Sequence, residues 1–327
     1  MHNPQVKAIR IIEILLLVSA IVLFLVGSVL EDTFFLRLAT ESLIFGGLAM
    51  SVDLLLGIVG LLSLGQALYF GFGAYLSALI LKEVSPSFFL AIGIVTLSSI
   101  VLGWVASFVA LRSKGVYFAL ITFGLAQVAA KVVYNTRSLG ASDGMMGVPI
   151  LQIWTPIGSI DAGQPGVFFI ITLLTIGALY GVLKYFLTTP MGSIWHAIRS
   201  NEDRLAYIGY KSKGPKQVAF ILAAMVAAVS GALYPMLRGF VSPELMFFSV
   251  SGNAVVTVVL GGVGTLIGPI LGSVLLTSFK SIIGTWTVHH HIVIGLIFVL
   301  VVVSAPKGIA GLLATYFRKT HSRKGEE

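Results

Sequence analysis

Long apolar runs separated by short polar turns dominate this chain. The first run extends from about Ile11 to Leu30, behind Lys7 and Arg10 and ahead of Glu31-Asp32-Thr33. A spanning helix needs about 20 mostly apolar residues, so this run predicts a first span. A secretory signal would have a shorter apolar region, about 7–15 residues, followed by a small-residue cleavage site. The next stretch, Phe34 to Leu81, is too long for one span and is broken around Gly57–Gln66. It predicts two helices joined by a Gly-rich elbow. After the short turn Lys82–Ser87, a helix from Phe88 to Leu111 reaches the basic turn Arg112-Ser113-Lys114-Gly115, and Val116 to Tyr134 returns. Further helices are predicted over Gly166–Leu187 and Gln217–Leu237. The stretch 245–286 makes two helices broken at Gly261–Gly268, and a last helix covers Ile292–Ser304.

Charge orients these spans. The loop 188–217 carries Arg199, Arg204, Lys211, Lys213 and Lys216, and the tail 305–327 carries Lys307, Arg318, Lys319, Arg323 and Lys324. Cytoplasmic loops are enriched in Lys and Arg, so both segments are placed inside. The connection 135–165 has a single basic residue, Arg137, and is placed outside. The expected fold is therefore an all-α polytopic membrane protein of about ten transmembrane helices. It forms a single transmembrane domain over residues 1–327, with both termini cytoplasmic. The two Gly-rich breaks contain no Lys or Arg. Each reads equally as a full turn or as a re-entrant, unwound segment, which leaves eight to ten spans.

Composition agrees. Hydrophobic residues make up 57% of the 327 and charged residues only 10%, with a mean hydropathy of +1.00. Soluble domains carry roughly 25% charged residues, and this chain could not cover a soluble surface. The net charge of +8 does not signal nucleic acid, because the cations lie in short loops between apolar runs rather than along one stripe. With no Cys, disulfides and thiolate metal sites are excluded.

Candidate chemistry is sparse. Gly262-Val263-Gly264-Thr265-Leu266-Ile267-Gly268 has GxGxxxG spacing, not a dinucleotide fingerprint, and no GxxxxGK[ST] occurs. The chain offers no ATP loop or cofactor site of its own. Gly264, Gly268 and Gly272, with Gly261 beside them, read as a small-residue packing face, and Pro269 as a kink in that helix. Gly177 and Gly181 repeat the same spacing. His289-His290-His291 has no carboxylate nearby and predicts no metal site. Leu56–Leu62 resembles Leu260–Leu266 at five of seven positions, so the two breaks are candidates for an internal repeat.

A charge at bilayer depth is costly, and such residues usually face the bundle interior. Asp53 is read that way, and Lys131 as a side chain snorkelling to the outer interface. Ser63, Gln66, Gln127, Asn253 and Thr257 are polar at membrane depth, and Gly65 lies in the first break. These residues and Asp53 are candidates for a translocation path. The polar ones serve equally well as hydrogen-bonding partners of neighbouring helices. Neither a nucleophile–base pair nor any other enzymatic constellation is present.

The loop 188–217 has its own pattern. Ser200 and Asp203 have capping-box spacing, and Glu202 and Asp203 fall in a first helical turn. Leu205 and Ile208 share a face, and Gly209 supplies a stop. The pattern predicts a two-turn amphipathic helix docked either on its own bundle or on a cytoplasmic partner.

Four ordered stretches carry a family resemblance. They are Leu56-Gly57 to Leu62-Ser63-Leu64-Gly65-Gln66-Ala67 with Gly71 and Gly73–Tyr75, Gly115–Leu120, Met191-Gly192 through Arg199, Asn201-Glu202 and Gly209 to Tyr234, and Val259–Gly272 followed by Ala305–Gly308. Together they resemble the permease subunits of branched-chain amino-acid ABC importers, the M-type of two paralogous permeases. The resemblance implies a multi-pass subunit of the bacterial inner membrane that forms the path with a second permease. It implies two cytoplasmic ATP-binding cassette subunits, which hold ATP and Mg, and a periplasmic solute-binding protein. It further implies that Arg199, Asn201, Glu202, Asp203, Leu205, Ile208 and Gly209 couple to those ATPases. The family commonly carries Asn near Asp53. Related permeases move urea, short amides and other amino acids. A secondary transporter or channel without an ATPase is the rival class, although a channel has no reason to hold a docking helix in a basic loop.

Overall fold

The structure is a computed structural model describing residues 33–149, 152–155, 158–161, 163–207, 209–286, 295–296 and 308. The predicted first span, Ile208 and the His289–His291 cluster lie outside the described residues. So do the last span and the basic tail, apart from Gly295, Leu296 and Gly308.

Helix α1, Thr33–Asp53, runs on as a π-helical turn over Leu54–Val59. Gly60 ends it at φ 84°, a left-handed conformation suited to glycine, with its N–H donating to the Leu55 carbonyl. Residues 61–65 are not helical. Helix α2 follows over Gln66–Leu79, with a π-turn at Ile80–Val84. Helices α3, Phe88–Ala110, and α4, Val116–Asn135, flank the basic turn. Helix α5, Pro165–Thr188, leads into α6, Pro190–Ser200, and the short α7, Glu202–Tyr207. Helix α8 is Lys213–Arg238, α9 is Phe248–Gly261 and α10 is Gly268–Trp286.

Among the described residues, six helices are long and apolar enough to cross a membrane: 33–59, 66–84, 88–110, 116–135, 165–188 and 213–238. At 14 residues, α9 is about 21 Å long, short of the roughly 30 Å hydrocarbon thickness. The long predicted loop is only partly irregular. Strand β1, Met145–Met146, pairs with a later strand at Phe240–Val241, while β2, Gln152–Thr155, and β3, Gly158–Asp161, form a hairpin. At this end of the bundle Lys82 donates to the Met146 carbonyl at 3.4 Å.

The core sits where α1, α2 and α8 meet. A Cβ on Gly73 would strike the Ala228 carbonyl, and one on Gly231 would strike the Phe70 carbonyl. The two backbones therefore touch, and Ser77 donates across to the Ala232 carbonyl at 3.0 Å. This is the close packing that small residues permit where helix association has no hydrophobic drive. By contrast α3 turns Phe89, Leu97 and Trp104 outward, and α4 turns Leu120 and Val128 outward. Faces of this kind are stable in hydrocarbon or against another helix.

Three expectations need correcting. Gly264 is not on a helix face with Gly268 and Gly272. It lies in the break at φ 83°, and only the other two pack, against Gly261 and Thr257 of α9. Pro269 does not kink a helix: it stands second in α10, where its missing N–H has no intrahelical partner to lose. Among the described residues, Gly177 and Gly181 meet nothing within 4 Å and do not pack against another helix. Helix α6, predicted as loop, is the main element missed. Pro190 starts it, and Trp195 and Ile198 bury one face of it.

Candidate functional site

Two polar assemblies occupy the bundle. The first gathers both Gly-rich breaks. Asp53, fully buried near the end of α1, accepts hydrogen bonds from the N–H groups of Gly264, at 2.6 Å, and Leu266, at 2.9 Å. The second break is thus pinned to the helix that leads into the first. The breaks touch directly, since a Cβ on Gly57 would collide with the Gly264 backbone. Arg199, at the end of α6, donates to the Gly57 carbonyl, lies against Gly60 and Gly264, and is within electrostatic reach of Asp53. Gly308 closes on Gly262. The similar segments Leu56–Leu62 and Leu260–Leu266 are therefore spatial neighbours, at the same end of the bundle as the basic loop.

The first break is held by neighbours that are remote in sequence. Leu64 N–H donates to Thr122 Oγ1 at 3.2 Å, and Gly65 is too close to the Thr122 carbonyl to carry a side chain. Ala67 N–H, one of the free donors at the start of α2, reaches Ser251 Oγ on α9 at 3.0 Å. Ser63 is buried and accepts from the Gln66 side chain at 3.4 Å. Among the described residues Gln66 Oε1 and Gln127 Nε2 are buried without a partner. Lys131 is exposed, with its ammonium 5.1 Å from the Tyr134 ring.

Beside the knot, the loop between α5 and α8 is built as a clamp. Trp195 is fully buried and donates to the Pro215 carbonyl at 2.8 Å. The N-cap of α7 is Asn201, whose Oδ1 accepts from Arg204 N–H at 3.0 Å. The predicted capping box from Ser200 is incorrect, because that hydroxyl turns back to the His196 carbonyl at 3.0 Å. Glu202 accepts from Ser212 at 2.6 Å and from the buried Lys216, while Lys114 lies 3.6 Å from Asp203. Burial pushes the Glu202 carboxyl up. The hydrogen bonds from Lys216 and Ser212, with the charges of Lys216 and Lys114, outweigh that and hold it below the usual carboxylate range. Leu205 is buried in its own bundle, so the exposed face of α7 is polar and aromatic: Asp203, Arg204 and Tyr207. Gly209 ends the turn at φ 84°.

The second assembly is a cavity of about 730 Å³ between the first half of α1, the end of α8, and helices α9 and α10. Asn253 and Thr257 line it; Asp53, Ser63, Gly65, Gln66 and Gln127 do not. Sequence reasoning did not single out its charged residues, Arg37, Glu41, Arg238 and Lys280. Arg37 and Arg238 lie near helix ends, where a charge looks ordinary, and Glu41 and Lys280 stand singly within long apolar runs.

Membrane-length helices, two breaks knotted to a basic loop and a polar cavity define a polytopic membrane transport protein. The profile described as branched-chain amino acid transport system / permease component matches residues 34–302. The chain belongs to that family. It is similar to the high-affinity branched-chain amino acid transport system permease protein LivM of Escherichia coli K12, with 25% identity covering 99% of this chain and 81% of that protein. It is also similar to the permease protein LivH of the same system and organism, at 23% identity over 81% of this chain and 90% of that protein. The autoinducer 2 import system permease protein LsrC of Yersinia pseudotuberculosis is 27% identical over 72% of this chain and 63% of its own length. No solved structure matches the chain.

Proposed function

We propose that this chain is the permease subunit of an ATP-driven importer of branched-chain amino acids and pairs with a second, paralogous permease. Membership of the family and the likeness to both LivM and LivH support the reading. In it the chain is a multi-pass protein of the bacterial inner membrane with about ten spans and cytoplasmic termini. The periplasmic segment 135–165 faces a solute-binding protein. The loop 188–217 meets two ATP-binding cassette subunits, which hold ATP and Mg and perform the hydrolysis.

The observation that carries the mechanism is the knot of Arg199, Gly57, Asp53 and Gly264. Arg199 closes the α6 end of the coupling loop and grips the first break, and Asp53 ties that break to the second. A displacement of α6 and α7 on ATPase closure therefore reaches both Gly-rich breaks at once. The outward face of α7, with Arg204 and Tyr207, is the docking surface, and Tyr and Arg are residue types that dominate interface energetics. Solute is carried because it binds the outward and inward states differently.

Gentle affinity purification of the chain from its membrane tests this. A second permease and two ATPases should be recovered with it, and Tyr207→Ala should reduce ATPase recovery. Recovery of the chain alone, still moving solute, would overturn the reading in favour of a channel or secondary transporter.

A further inference from the structure

The cavity between α1, α8, α9 and α10 has a composition that its surroundings do not require. Its apolar wall includes Phe45, Leu48 and Leu276. Its charged wall holds Glu41, paired with Arg238 at 2.6 Å, and two further cations, Arg37 and Lys280. Among the described residues neither Arg37 nor Lys280 has an ion-pair partner. Lys280 nevertheless lies close enough to Glu41 to feel its charge.

Charges held beside apolar helices are costly and are kept where they bind something. One carboxylate against three cations leaves the wall with a surplus of positive charge. A neutral apolar solute would leave Arg37 and Lys280 unanswered, since only Glu41 and Arg238 answer each other, and a simple cation would be repelled. A carboxylate answers Arg37 and Lys280. An ammonium beside it answers Glu41, whose second oxygen is not committed to Arg238. An aliphatic side chain fills the Phe45–Leu48 side. At about 730 Å³, the cavity lies within the range of about 300–1,000 Å³ usual for small-molecule sites.

We propose that this cavity is a binding site for a zwitterionic α-amino acid with an aliphatic side chain. Arg37 and Lys280 receive the carboxylate, and Glu41 receives the ammonium. The inference rests on the importer reading above for its choice of solute and adds the residues that hold it.

The absence of cysteine from the chain permits a direct test. Thr277 lines the cavity, and Thr277→Cys introduces the sole thiol of this subunit. In the purified complex, its modification by a methanethiosulfonate reagent is followed by mass spectrometry of this chain. Leucine should slow the modification saturably, about fivefold at roughly four times its dissociation constant. 4-Methylpentanoate and isoamylamine, which each lack one charged group, should protect at least about tenfold more weakly. Lys280→Met and Arg37→Gln break no ion pair in the described structure, and each should shift the leucine protection curve about tenfold. Equal protection by all three compounds, or none by leucine, would overturn the site. Protection by leucine with no leucine uptake by the reconstituted complex would leave the site standing and overturn the importer reading instead.

Discussion

Arg199 donates to the carbonyl oxygen of Gly57 across 142 residues of sequence. It is a direct link between the basic loop and the π-helical end of α1. Its backbone and aliphatic stem also rest on Gly60 and its guanidinium on Gly264, so a single residue bridges the basic loop and both helix breaks. A planar fork of donors suits that position better than an ammonium would.

Replacing Arg199 should therefore separate hydrolysis from transport. Arg199→Ala, and to a lesser degree Arg199→Lys, should lower solute uptake by the reconstituted complex while ATPase activity persists. A coupling residue of this kind is worth about 0.5–2 kcal/mol, or a loss of roughly 2- to 30-fold. Parallel uptake and phosphate-release assays would show it, and equal loss of both would point to a merely structural role.

Asp53 answers two N–H groups in the second break. Asp53→Ala leaves the buried Leu266 N–H and the half-buried Gly264 N–H without an acceptor, at a cost of up to about 1–3 kcal/mol each. Asp53→Asn keeps one acceptor but turns an amide N–H toward the other donor, so it should fall between the alanine variant and the parent. Thermal unfolding of the detergent-solubilised protein would rank the three, and a flat series would mean that the break finds other acceptors.

The Glu202 carboxyl is held below its ordinary value, and the sign of its pH effect follows. A depressed pKa means that the folded protein favours the charged form. The contribution of Glu202 to stability is then complete above the unperturbed value of 4.5. It is lost as pH falls below that value through the lowered one. Glu202→Gln should remove this acid-dependent component. It should also weaken the loop at neutral pH, because Lys216 is left buried without its counter-charge. Limited proteolysis between α6 and α8 at pH 7 and at pH 4 would reveal both effects.

Two pairs of glycines should respond oppositely to the same substitution. Gly73→Ala and Gly231→Ala each drive a methyl into a carbonyl of the facing helix. Parting α2 from α8 should cost about 1–3 kcal/mol or more. Gly177→Ala and Gly181→Ala meet nothing within 4 Å among the described residues and should leave the melting temperature unchanged or slightly raised, as alanine favours helix. Fluorescence-detected gel filtration after heating would separate the two classes.

Much of the architecture is readable along the chain, because in hydrocarbon each spanning helix must satisfy its own backbone and so announces itself as a local apolar run. Runs such as 88–110 and 116–135 were placed to within a residue or so for that reason. The breaks were visible as Gly-rich interruptions, and the α7 stop at Gly209 as a glycine at a helix end. Function was legible as an ordered set of family motifs rather than as any single chemical group.

What the chain could not state locally, the tertiary structure decided. That Asp53 reaches Gly264 and Leu266, that Ser251 caps α2 and that Arg199 joins both breaks depend on approaches between residues over 100 positions apart. Helix α6 was hidden because its apolar spacing is short and lies in a basic loop. The charged wall of the cavity was hidden because Arg37, Glu41, Arg238 and Lys280 come from three helices, and no sequence window contains them all. Hydropathy is a property of neighbours in the chain. Charge compensation, and the site it builds, is a property of neighbours in space.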